Sequence, residues 1–132
     1  MKVATDIFQS KILGRWLHPD TADMYRNPTG EYEVIPSNMT GSQLFASFVK
    51  NSEFIGHLAW SLDALVEYLC DSDNVYVEFK KHNGMWVCRY TKYEGELKKC
   101  CSKMAPTKIA AIFEVIFQLQ HRDQLHREDG KA

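Results

Sequence analysis

The sequence predicts an α+β fold, a single domain over residues 1–132 in which a small antiparallel sheet is covered by about four α-helices. Three observations carry that expectation. Residues 75–92, VYVEFKKHNGMWVCRYTK, form two alternating runs joined by Asn83-Gly84. This is the strongest short hairpin signal, because a type I′ turn needs positive φ at both central residues. Apolar residues recur at helical spacing from Ile55 to Leu69 and again from Ile109 to Leu119. An isolated hairpin is marginal in water, so helices must cover its apolar face.

The Asn-Gly turn fixes a register in which His82 faces Met85, Phe79 faces Cys88 and Val77 faces Tyr90. One face then carries Val75, Val77, Phe79, Trp86, Cys88 and Tyr90; the other carries Tyr76, Glu78, Lys80, Val87, Arg89 and Thr91. Glu78 falls opposite Arg89, a favourable cross-strand pair on the wetter face.

In chain order, Thr5 or Asp6 caps a first helix with Ile7, Phe8, Ile12 and Leu13 at helical spacing, and Gly14 suits the position that ends it. A segment dense in Pro, Gly, Asp and Asn follows, with a turn at Asn27-Pro28-Thr29-Gly30. Glu31–Ile35 reads as a short edge strand stopped by Pro36. Thr40-Gly-Ser-Gln43 fits a capping box ahead of Leu44, Phe45, Phe48 and Val49. Asn51-Ser52 offers a second cap, predicting one long helix through Ile55, Leu58, Leu62, Leu65, Val66 and Leu69 to Cys70. After the hairpin, GELKKCCSK predicts a third, edge strand, its Lys98 and Lys99 discouraging aggregation. Pro106 suits the first position of a last helix, and the polar segment 121–132 is expected to fray.

Composition bounds the function. A 45% hydrophobic, 25% charged chain of this length buries a core without metal or disulfides. No run is long enough to span a bilayer and no export signal is present, so the reading is a cytoplasmic protein with reduced thiols and no membrane partner. The net charge of −1 is unevenly spread. Residues 1–77 hold five Lys/Arg against ten Asp/Glu, while residues 78–103 hold seven against three. A basic sheet beside an acidic helical half suits nucleic acid, through residues such as Lys80, Arg89, Lys98 and Lys99, or an acidic protein surface. Because the whole chain is not basic, two halves that complement one another, within the fold or across a dimer, come first.

Other candidates are weaker. His18, Asp20 and Asp23, with Glu31 and Glu33 nearby, are oxygen-rich, but their spacing matches no metal loop, and neither a metal nor a cofactor is expected. On a strand, adjacent Cys100 and Cys101 place one thiol inside and one outside. His57 reads as a helix-boundary residue, and His121 and His126 lack the spacing of a helical metal pair. No phosphate-binding loop, dinucleotide fingerprint or hydrolase elbow occurs, so no catalytic residue is assigned. Trp16, Tyr25, Arg26 and Tyr32 lie in or beside the irregular segment and are of the types that binding hot spots use. Ile109, Ile112, Phe113, Ile116, Phe117 and Leu119 turn through too wide an arc for one sheet face, which predicts a homodimer through Phe113 and Phe117.

Four pieces in order, Lys11-Ile-Leu-Gly-Arg-Trp16, Tyr25-Arg-Asn-Pro-Thr-Gly30, Met85-Trp-Val-Cys88 and Ala105-Pro-Thr-Lys-Ile-Ala-Ala111, resemble the small phage proteins of the "ABA sandwich" type. The chain departs from that pattern in having two helices between Pro36 and the hairpin, and an Arg inside the Gly-Trp pair. The resemblance implies a phage or prophage origin, helices on both sides of a small sheet, and no activity to carry over. The functional expectation is a non-enzymatic interaction protein, a phage-derived accessory factor that binds or inhibits a host macromolecule such as a protein. A nucleic-acid-binding module is the alternative, and a small enzyme ranks third.

Overall fold

The computed structural model describes residues 4–50 and 57–129, with side chains through residue 122. The chain divides into two compact units, Met1–Leu65 and Val66–Ala132. Its described residues form two three-stranded antiparallel sheets and four α-helices, a mixed α+β class. The expectation of one small sheet is therefore corrected to two.

In the first unit, α1 (Ile7–Leu13) starts at a reciprocal cap. The Asp6 carboxylate accepts the Gln9 N–H at 2.8 Å, and the Gln9 amide oxygen accepts the Asp6 N–H at 3.1 Å. Gly14 does not end the helix in the left-handed region, as expected from its position; its φ is −61°. Its N–H still donates to the Ser10 carbonyl, and the winding continues to Leu17. A 3₁₀ turn, Pro19–Thr21, leads to β1 (Met24–Arg26), and Asn27–Gly30 turns the chain into β2 (Tyr32–Val34). Helix α2 (Gly41–Lys50) has the expected capping box, with Thr40 and Gln43 exchanging bonds at 2.9 and 3.1 Å. Gly41 is needed for proximity, since a Cβ there would lie 1.9 Å from the Pro19 carbonyl oxygen.

The single helix expected from Asn51 to Cys70 is corrected. Residues 51–56, including Ile55 and the Asn51-Ser52 cap, lie outside the described residues. His57–Ala59 is a strand, β3, pairing with β1 in the order β2-β1-β3. Helix α3 (Leu62–Leu69) starts after Ser61, whose hydroxyl accepts the Ala64 N–H at 3.2 Å and donates to Asp23. The Leu58–Leu62 spacing of four is thus a strand followed by a helix, and not one turn.

Thr5, fully buried, ties this unit together. It bonds twice to the Trp60 backbone, its N–H donating to the Trp60 carbonyl and its hydroxyl oxygen accepting the Trp60 N–H. The same hydroxyl lies 2.8 Å from that of Ser10, and the Thr5 carbonyl accepts the Tyr32 hydroxyl.

The second unit is built on β4 (Val75–His82), β5 (Met85–Glu94) and β6 (Leu97–Ala105), in that order. The hairpin register is the one read from Asn83-Gly84: Phe79 pairs with Cys88, Val77 with Tyr90 and His82 with Met85. Both turn residues have positive φ, 50° and 78°. Helix α4 (Lys108–Asp129) packs on β5 and β6. Thr107 caps it, its hydroxyl accepting the Ala110 N–H, so Pro106 stands one residue before the cap and not at the first helical position expected of it. Lysine at the first position opposes the helix dipole. Lys108 instead places its ammonium 4.5 Å from the Trp86 ring centre, with Lys81 at 5.6 Å from the same ring. No described helix is long and apolar enough to cross a membrane.

Candidate nucleic-acid interface

The pleat sorts the residues of β4–β6 onto two faces. Tyr90 pairs with Cys101, and Cys88 with Lys103, on the face that α4 covers. Cys88, Tyr90, Cys101, Ile109, Ile112 and Ile116 are all buried. The opposite face runs in rows across the three strands: Tyr93 with Lys98; Tyr76, Thr91 and Cys100; Glu78, Arg89 and Ser102; Lys80, Val87 and Met104. Val87 and Thr91 are half-buried and the rest are exposed. Among the described residues of this unit, no element covers this face.

Its chemistry is aromatic and cationic. Tyr76 and Tyr93 are 54% and 43% exposed and meet edge to face at 5.9 Å. The Lys98 ammonium lies 6.0 Å from the Tyr93 ring centre. Glu78 opposes Arg89 in the register as expected, but they form no ion pair, and the Arg89 guanidinium has no acceptor among the described residues. Against Lys80, Arg89 and Lys98 the face carries a single acid, Glu78. The structure therefore brings together three of the four cations read from the sequence. Lys99 is the exception: it pairs with Lys92 on the helix-covered face and lies 3.9 Å from Glu94. Sequence reasoning missed Tyr76 and Tyr93 as partners of these cations. Strand alternation places Tyr76 on this face, and carrying the strand past Lys92 adds Tyr93.

The candidates of the first unit are largely engaged internally. Tyr25 donates to Glu33 and approaches Phe48 at 6.5 Å. Donating to the Glu33 carboxylate raises the Tyr25 pKa. Arg26 donates to the Gly30 carbonyl at 3.1 Å, bracing its own turn, and Tyr32 donates to Thr5. Tyr25 alternates with Arg26 along β1, so these two do not share a face. Trp16 is half-buried. The acids of the irregular segment serve separate tasks. Asp20 accepts the Ser42 N–H at the start of α2, and hydrogen bonding from the Ser42 side chain and then its backbone holds the Asp20 carboxyl below its ordinary pKa. Asp23 anchors Ser61 ahead of α3, and His18 Nδ1 accepts the Asp20 N–H.

Cys101 is buried and Cys100 exposed, as strand alternation required. Phe113 is buried and Phe117 is 39% exposed beside His121, so an argument for self-association rests on Phe117 alone. His126 lies beyond the described side chains. No protein-family model, curated protein or solved structure matches the chain.

Proposed function

We propose that this chain is a non-enzymatic binding protein that holds single-stranded nucleic acid on the uncovered face of β4–β6. The observation that supports this most is the alignment of Tyr76 and Tyr93 with Lys80, Arg89 and Lys98 on one exposed face. Unpaired bases stack on aromatic side chains whatever their sequence, and cations beside the rings meet the phosphates. Exposed rings on an open sheet suit unpaired bases, whose faces are free to stack, and that favours single strands. The likeness to phage proteins supplies the setting, an accessory factor acting on a host macromolecule. A protein partner at Trp16, Tyr25, Arg26 and Tyr32 is the lesser reading, since the last three hold internal hydrogen bonds.

Fluorescence anisotropy of labelled single-stranded RNA and DNA at low salt tests the proposal. Binding is expected for the wild type and is weakened in Tyr76→Ala and Tyr93→Ala, each stacked base contributing roughly 1–3 kcal/mol. Lys99→Glu, on the opposite face, leaves it nearly unchanged. No binding of either strand at low salt removes the proposal.

A further inference from the structure

The first unit holds a cavity that the nucleic-acid reading does not use. It lies between α1 and α2 beside β3, encloses about 400 Å³ and is walled by Leu17, Phe45, Phe48, Leu58 and Trp60. That volume and apolar lining are typical of small-molecule sites, in which a few polar groups fix the orientation of the ligand. Three such groups are present.

Lys11 and Arg15 line the cavity from the end of α1 and the turn after it. Both are exposed, and neither side chain has a hydrogen-bonding or ion-pair partner among the described residues. Like charges spaced four apart on helical backbone repel. An anion between them relieves that repulsion. His57 also lines the cavity, with its Nδ1 held 3.0 Å from the Leu58 carbonyl. Its Nε2 is buried and without a partner among the described residues. Native structures rarely leave such an atom unmet. A polar atom of a bound ligand would supply that partner.

We infer that this cavity binds a small amphiphilic carboxylate, an apolar chain against Phe45, Phe48 and Leu58 with its carboxylate toward Lys11 and Arg15. The site is independent of the sheet face, and neither proposal depends on the other.

Calorimetric titration of the full chain with sodium decanoate below its micelle concentration tests this, with decanol as the uncharged control. Saturable binding of decanoate is expected, at least tenfold tighter than that of decanol. The double variant Lys11→Glu/Arg15→Glu should lose at least tenfold in decanoate affinity and leave decanol binding unchanged. The unchanged decanol arm shows that the variant cavity is still folded. Absence of saturable decanoate binding overturns the inference, as does equal affinity for decanoate and decanol. Phe48→Asp, in the wall, should weaken both ligands; retention of both would place them elsewhere and overturn it too.

Discussion

Glu78 and Arg89 face each other across β4 and β5, yet their side chains form no ion pair. Exposed pairs of this kind contribute at most about 1 kcal/mol, so little stability is forgone by leaving Arg89 open. Arg89→Gln is therefore expected to change the free energy of urea unfolding by less than about 0.5 kcal/mol. Its effect belongs to binding. Three phosphate contacts to a single strand give a slope of log affinity against log salt of roughly −2, and losing one contact reduces it by about 0.7. Equal slopes for wild type and variant would remove Arg89 from the interface.

Thr5→Val retains the shape of a fully buried side chain and removes the hydroxyl that meets Trp60 and Ser10. The Trp60 N–H then has no acceptor in a buried setting. A loss of roughly 1–3 kcal/mol is expected in urea unfolding. An unchanged midpoint would mean that the Thr5 hydroxyl does not hold the N-terminal segment to Trp60.

Gly41→Ala should be costly for a different reason. The added methyl would lie 1.9 Å from the Pro19 carbonyl oxygen, a backbone atom that cannot rotate away. Overpacking of this order costs about 1–3 kcal/mol, in contrast to the gain an Ala normally brings to a helix. Thermal melting of the variant at or above the wild-type temperature would contradict the approach of α2 to the 3₁₀ turn.

The four cysteines should differ in reactivity. Burial first, and Cys101 nearby second, push the Cys88 pKa up to about 12, and burial also raises that of Cys101. Cys70 is raised by desolvation and by Asp71. With iodoacetamide at pH 8, mass spectrometry of the native protein should find Cys100 modified first and Cys70 more slowly, with Cys88 and Cys101 spared. A raised thiol pKa in the folded state has a definite sign. The stabilising contribution of Cys88 is intact below about pH 9 and declines as pH climbs toward 12, because the unfolded thiol ionises first. Equal labelling of all four thiols in the native protein would contradict the burial of Cys88 and Cys101.

The second unit was the more legible of the two. Asn83-Gly84 imposes positive φ at both turn residues, and one turn then determines the partner of every residue from Val75 to Lys92. The third strand followed from its lysine-rich edge pattern. Strands β1 and β3 were missed because three residues carry no readable alternation, and the Leu58–Leu62 spacing mimics a helical turn. What decides for strand there is non-local: Leu58 pairs with Tyr25, and Trp60 bonds to Thr5 across 55 residues. The cations of the candidate interface were legible as a charge imbalance. Sorting Lys99 to the other face and bringing Tyr76 and Tyr93 together required the strand register.

The most direct test of the nucleic-acid proposal is a map of backbone amide shifts on titrating the ¹⁵N-labelled chain with a short single-stranded RNA at low salt. The expected result is a contiguous set of shifts at Tyr76, Lys80, Arg89, Tyr93 and Lys98, with Ile112 and Ile116 of α4 unmoved. Shifts confined to residues 4–50, or no shifts at any RNA concentration, would contradict a binding role for the open face of β4–β6.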